Sequence, residues 1–261
     1  MFQEPQISIV TVVKNDASAL KQTIQSVISQ TFKDYEYIII DGGSTDNTPE
    51  IIKKYSGYIG IHISEPDNGI FDAMNKGAQL ANGKWVNYLT AGDVFESPQT
   101  LEAIVELLND DIDVAYGACR IIYKDIVSGV HLPCKLSNLW KGISFSHQSV
   151  FCKTDLVQDY KFDTAYNLAG DFDLLLRLHE ANKLFVNLGL VIVQSCSGGH
   201  SDTKRLKVYY EYWKISRKHN GLCKCTLYFV AKSSLEILKM FAKSILPQKL
   251  VRYFQLQKYS D

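Results

Sequence analysis

Ile7–Val13 reads ISIVTVV, and Tyr35–Ile40 reads YEYIII before Asp41-Gly42-Gly43-Ser44-Thr45-Asp46. These two stretches decide the fold. Near-continuous β-branched runs of this length suit strands covered on both faces, as in a parallel sheet. Between them Leu20, Ile24, Val27 and Ile28 recur at i, i+4, i+7 and i+8, the spacing of one apolar helix face. Working outward, Thr48-Pro49-Glu50 opens a helix with proline at its first position. Gly60–Ser64 then reads as a strand, Ile70–Leu80 as a helix and Lys84–Leu89 as a strand, and Leu101, Ile104, Val105 and Leu108 mark another helix. This alternation with short loops predicts an α/β fold, a mostly parallel sheet with helices on both faces. Val114 to Cys152 is strand-rich, and helical periodicity returns at Asp171–Ala181.

The texture changes after Gly199. Tyr209–His219 and Thr226–Leu246 read as helices, the second with Leu227, Val230, Leu235, Leu238, Phe241 and Ile245 facing one way. The predicted organisation is a body over residues 1–203 and a basic helical C-terminal extension over 204–261. Lys+Arg and Asp+Glu both total 28, yet the extension holds 13 Lys/Arg against only Glu211, Glu236 and Asp261. The body is correspondingly acidic. A chain of zero net charge is no polycation built for nucleic acid, but its basic extension suits an anionic surface. No apolar run approaches the ~18 residues of a membrane span. The first residues carry neither a positive n-region nor an apolar h-region, and the six cysteines have no zinc spacing. The expectation is therefore a cytoplasmic protein with reduced thiols, peripheral on the inner membrane face if the extension meets lipid.

In an open α/β sheet, ligands bind outside the carboxyl ends of the strands. Lys14-Asn15-Asp16, Asp41, Glu65-Pro66-Asp67-Asn68-Gly69 and Thr90-Ala91-Gly92-Asp93 follow the first four strands. Carboxylates gathered on one edge repel unless a cation or a donor-rich ligand sits among them. That predicts a divalent metal with oxygen ligands, shared with substrate phosphates. Neither G-x-G-x-x-G nor G-x-x-x-x-G-K-[ST] is present, which excludes the usual dinucleotide and P-loop devices.

ISIVTVVKND, YIIIDGGSTDNT, SEPDNGIFDAMNKG, GKWVNYLTAGDVF and AGDFDLLLRL occur in that order. Together they resemble the family 2 glycosyltransferases of GT-A fold, especially bacterial enzymes of surface-polysaccharide assembly, over about residues 6–200. The resemblance implies a nucleotide-sugar donor, expected to be UDP-linked, and a saccharide acceptor that is lipid-linked in many relatives. It implies that Thr11 and its strand end line the base, that Asp41 bonds it, and that Asp67 and Gly92 belong to the nucleotide-sugar pocket. Asp93 matches the last acid of the D-x-D metal motif, for Mg²⁺ or Mn²⁺. Asp171 matches the catalytic base of an inverting displacement, with Asp173 as the second candidate. His147, Gln148 and His200 are candidates for contact with acceptor or diphosphate, and Trp140 for stacking on a sugar.

Three positions depart from the family pattern: Ala91 replaces the first acid of D-x-D, Met74 an arginine, and Gly170 the glutamate before Asp171. They keep open a degenerate, non-catalytic binding protein as an alternative. A sugar nucleotidyltransferase is the other alternative, although the loop after the first strand lacks the glycines it would want.

Overall fold

The computed structural model describes residues 4–123, 127–143, 145–196 and 203–245. Its first half runs β1 (Ile7–Val13), α1 (Ala17–Ile28), β2 (Tyr35–Asp41), α2 (Thr48–Lys54), β3 (Ile61–Ser64), α3 (Ile70–Leu80), β4 (Trp85–Tyr88), β5 (Val94–Phe95) and α4 (Thr100–Val105). Its second half runs β6 (Val114–Tyr123), β7 (Val127–His131), β8 (Val150–Lys153), α5 (Thr154–Tyr160), α6 (Gly170–Glu180), β9 (Phe185–Cys196), α7 (Arg205–Asn220) and α8 (Leu222–Ile245). The strands form one sheet of order β3-β2-β1-β4-β8-β6-β9-β5, with β7 on β6.

β1, β2, β3 and β4 are mutually parallel, and β1 pairs along its whole length with β2, Ile7↔Tyr35 to Val13↔Asp41. Alternation sends successive β1 residues to opposite faces. Val10 and Val12 join Ile38, Ile40 and Met74 in one apolar cluster, and Ile9 and Val13 join Leu20, Ile24 and Ile39 in the other. Each such side chain, fully buried, contributes about 1.5–3 kcal/mol. Both faces are thus covered, as the unbroken β-branched runs require.

The chain leaves β1 for β2 on one side and later returns to β4 on the other, so a crevice opens at the carboxyl ends between them. β8 then pairs antiparallel to β4, Trp85↔Lys153 to Asn87↔Phe151. That reversal carries residues 147–150 to the carboxyl end of β4.

The C-terminal extension docks on the body. Ile215 of α7 is fully buried with Leu139, Tyr166, Ala169, Phe172 and Leu176, and Tyr212 stands edge-on to Phe172 at 4.6 Å. α8 turns Cys225 and Phe229 inward, whereas Leu227, Val230, Leu235, Leu238, Phe241 and Ile245 are 52–76% exposed. Trp140 lies edge-on to Tyr228 at 5.2 Å and its carbonyl accepts from Ser216 Oγ at 2.6 Å, so it fastens this extension where a sugar platform was expected. Among the described residues, no helix is long and apolar enough to cross a membrane.

Candidate active site

Two loops at the carboxyl edge lock each other. Asn15 Oδ1 accepts from the Thr45 N–H at 2.7 Å, and Ser44 Oγ accepts from the Asn15 N–H at 2.7 Å. Asp46 accepts from the Ala17 and Thr48 N–H groups. Asp41 is fully buried, and its carboxylate accepts from the Ser44 N–H at 3.0 Å and from the hydroxyls of Ser44 and Ser64 at 2.5 and 2.6 Å. Three donors orient this carboxylate, and Oδ2, which takes the Ser64 hydroxyl alone, keeps an accepting lone pair. Thr11, expected to line the base, lies deeper than that edge. It is fully buried, donates to the Leu89 carbonyl at 2.8 Å and accepts from Tyr37 at 3.1 Å, which seals it from any ligand.

Asp67 stands differently. Its Oδ1 accepts from the Gly69 N–H at 3.1 Å, while Oδ2 occupies the space where a side chain at position 42 would lie. Gly42 therefore admits a carboxylate delivered from the β3–α3 loop. Lys76 ties that loop down, reaching Glu65 at 2.8 Å and the Pro66 carbonyl at 3.2 Å. Met74 is fully buried under β1, so position 74 faces the core and not a phosphate.

After β4 the chain makes a tight turn, with the Asp93 N–H donating to the Thr90 carbonyl at 2.9 Å. Gly92 sits at φ +98°, a region that side chains resist. Its N–H donates to Thr23 Oγ1 at 2.9 Å, and that hydroxyl donates to the Asp93 carbonyl at 2.8 Å. Gly92 thus shapes the turn, with its N–H already engaged. Asp93 is 6% exposed and accepts from Gln148 Nε2 at 2.9 Å. Burial pushes its pKa up, against a Ser195 hydrogen bond, the His147 charge and the Gln148 amide, which all pull it down. This carboxylate is under-compensated, the condition in which a cation stabilises it.

Among the described residues no three His, Cys, Asp or Glu side chains gather as a metal cage. A hard cation that keeps waters and takes phosphate oxygens needs few protein ligands, and Asp93 offers one carboxylate to such an ion. Ala91 contributes no second one.

Asp171 lies in the first turn of α6, where the macrodipole favours negative charge. Its Oδ2 is 3.2 Å from His147 Nδ1. Burial disfavours the charged imidazole, yet the hydrogen bond to Asp171 and the charges of Asp171 and Asp93 outweigh it and raise the His147 pKa. His147 Nε2 is buried with no hydrogen-bond partner among the described residues. Asp173 instead turns inward, 3% exposed and bound to Arg177 Nε at 2.8 Å, which makes it a structural ion pair. Gly170 lies where a Cβ would press on the Phe71 ring, so no glutamate fits before Asp171. His200 lies outside the described residues.

Asn87, in the middle of β4, holds the His147–Gln148 turn, donating to the Gln148 and Val150 carbonyls at 2.8 Å each. Sequence reading missed Asn87 because an apolar strand context hides its purpose. The outcome is that one dipeptide touches both acids, Asp93 through Gln148 and Asp171 through His147.

The family profile described as glycosyl transferase family 2 matches residues 8–166. The chain belongs to glycosyl transferase family 2. It is 31% identical over 184 residues to an uncharacterized glycosyltransferase of Mycobacterium tuberculosis, covering 68% of this chain and 70% of that one. It is 32% identical to an uncharacterized glycosyltransferase of Rickettsia prowazekii, over 97% of this chain and 83% of that one. A Mycobacterium tuberculosis PGL/p-HBAD biosynthesis glycosyltransferase is 29% identical over 76% of this chain and 80% of its own length. This family 2 member is a glycosyltransferase. Two solved structures share its GT-A fold. The mannosyltransferase PcManGT of Pyrobaculum calidifontis, with GDP-Man and Mn²⁺, has a TM-score of 0.66 at 13% identity, covering 99% of this chain and 85% of that one. S. aureus TarS 1-349 with UDP-GlcNAc has a TM-score of 0.64 at 16% identity, covering 80% of this chain and 66% of that one.

Proposed function

We propose that this glycosyltransferase moves a sugar from a UDP-linked donor to a saccharide hydroxyl with inversion, in assembly of a surface polysaccharide or lipopolysaccharide. The observation that carries the reading is the convergence of Asp93 and Asp171 on the His147–Gln148 turn. Asp67 offers a carboxylate oxygen at the carboxyl edge, suited to a base N–H such as that of uracil. A divalent cation, Mg²⁺ or Mn²⁺, held by Asp93 would neutralise charge developing on the departing diphosphate. Asp171 accepts the proton of the attacking hydroxyl, whose oxygen forms the bond to the anomeric carbon as the diphosphate leaves from the opposite side. A single displacement inverts the centre. No carboxylic acid is needed to protonate the leaving group, unlike in a glycosidase.

The UDP-bound TarS structure and the PGL/p-HBAD biosynthesis name of the mycobacterial relative support this reading. The test is thermal stability with UDP, GDP, dTDP and CDP, each with and without Mn²⁺. A nucleotide at about 100-fold its Kd adds ~2.7 kcal/mol, which at about 2–4 °C per kcal/mol for a chain of this size is a shift of several degrees. A Mn²⁺-dependent shift with UDP is expected. A shift with GDP alone would reject the UDP assignment, and none with any nucleotide would favour the non-catalytic alternative.

The acceptor, on this reading, is lipid-linked and met at an anionic membrane surface through α8. Leu227, Val230, Leu238 and Ile245 form one exposed apolar stripe along a helix about 36 Å long. Its described acid, Glu236, is buried and paired with Arg205. An apolar face on a basic segment matches an anionic bilayer. Leu227→Gln with Leu238→Gln is expected to abolish co-sedimentation with phosphatidylglycerol vesicles that the parent protein shows at low salt. Equal binding by both proteins would remove α8 as the membrane element.

A further inference from the structure

The base Asp171 has few restraints of its own. Its Oδ1 accepts from the N–H of the next residue, Phe172, at 2.8 Å, a contact within its own helix turn. The contact from outside α6 is His147 Nδ1, on Oδ2. A base must be held within a fraction of an ångström of its proton donor, and a misplacement of about 1 Å costs on the order of 10²-fold in rate. His147 is well placed to supply that restraint. Its turn is anchored on a central strand by both Asn87 donations and by Ser149 Oγ, which donates to the Ala118 carbonyl at 3.2 Å. The adjacent Gln148 holds Asp93 from the same turn, its own amide oriented by Ser146 Oγ.

We propose that His147 is a positioning residue, whose Nδ1–H fixes the Asp171 carboxylate, and that the His147–Gln148 turn sets the distance between the base and the acid at the leaving group. The assignment rests on Asp171 being the base. It moves His147 and Gln148 from substrate contact to orientation of the two acids. The partnerless Nε2 agrees with this: the nitrogen that bears the bond faces Asp171, and the other is buried without a partner among the described residues.

Asparagine and glutamine separate the two ring nitrogens. The Asn amide nitrogen lies at the depth of Nδ1, that of Gln at the depth of Nε2. The readout is UDP release from UDP-GlcNAc with water as nucleophile. His147→Asn is expected to keep kcat within a few-fold, whereas His147→Gln and His147→Leu lose about 10- to 100-fold with KM for the donor unchanged. Retention by His147→Gln with loss in His147→Asn would overturn the proposal, as would a tenfold rise in KM with kcat intact. Asp171→Asn is run beside them. If it keeps wild-type turnover, the base reading itself fails. If it is inactive while His147→Gln turns over normally, only the positioning role fails. Nitrogen-15 NMR of the unaltered protein gives an arm independent of any variant. The His147 Nδ1 must carry a hydrogen, and a neutral ring with its hydrogen on Nε2 alone would overturn the assignment.

Discussion

Asp171→Asn is expected to lower kcat by about 10²- to 10⁴-fold, the usual contribution of a positioned general base, while donor affinity stays within twofold. The amide has the shape of the carboxylate but cannot take a proton from the attacking hydroxyl. Its carbonyl oxygen still accepts from His147 Nδ1, so the turn that carries Gln148 and Asp93 stays in place. The fold is not at stake, because the hydrogen-bond partners of Asp171 among the described residues are the Phe172 N–H and this histidine. The matching change at Asp173 is the contrast. Arg177 reaches Asp173 and the carbonyls of Tyr160 and Lys161, so Asp173→Asn loosens a buried network and acts on stability first. Steady-state kinetics with melting curves on both variants check the pair. Wild-type turnover in Asp171→Asn would move the base elsewhere.

Asp93→Asn is expected to separate stability from function in opposite directions. Burial raises the Asp93 pKa, so its folded value lies above its unfolded one. The sign follows: relative stability is greatest below the unfolded value, near 3.8, and falls as pH rises through the folded value. Where the folded carboxyl is ionised without metal, that buried charge costs stability and the neutral amide relieves it, each kcal/mol relieved raising Tm by about 2–4 °C. The variant also loses the negative charge for which a cation is needed, so its Mn²⁺-dependent UDP shift disappears and transfer falls with it. Melting curves between pH 4 and 8, with and without Mn²⁺ and UDP, check both halves. A variant less stable than the parent in metal-free buffer, or one retaining the Mn²⁺-dependent shift, would reject this account of Asp93.

Much of the scaffold was legible in the chain. β1 spans Ile7–Val13 and α3 spans Ile70–Leu80, as their apolar spacing indicates, because alternation and 3.6-residue periodicity are properties of neighbours a few residues apart. The strand-end positions of Asp67 and Asp93, and the helix-start position of Asp171, were legible for the same reason. What each polar residue does there was not. Thr11 and Asp41 stand at the edge in sequence, yet Thr11 is sealed by its bonds with Leu89 and Tyr37, and Asp41 is oriented by Ser44 and Ser64. Likewise the periodicity of α8 defines an apolar face, but only the burial of Cys225 and Phe229 on its other side decides that this face points outward.

Local residue patterns were enough to read the elements, the order of the strands' polar ends and the family to which they belong. That His147 meets Asp171, 24 residues on, and Gln148 meets Asp93, 55 residues back, came from the folded chain. Those meetings depend on β8 inserting antiparallel beside β4, a long-range pairing that no local period encodes.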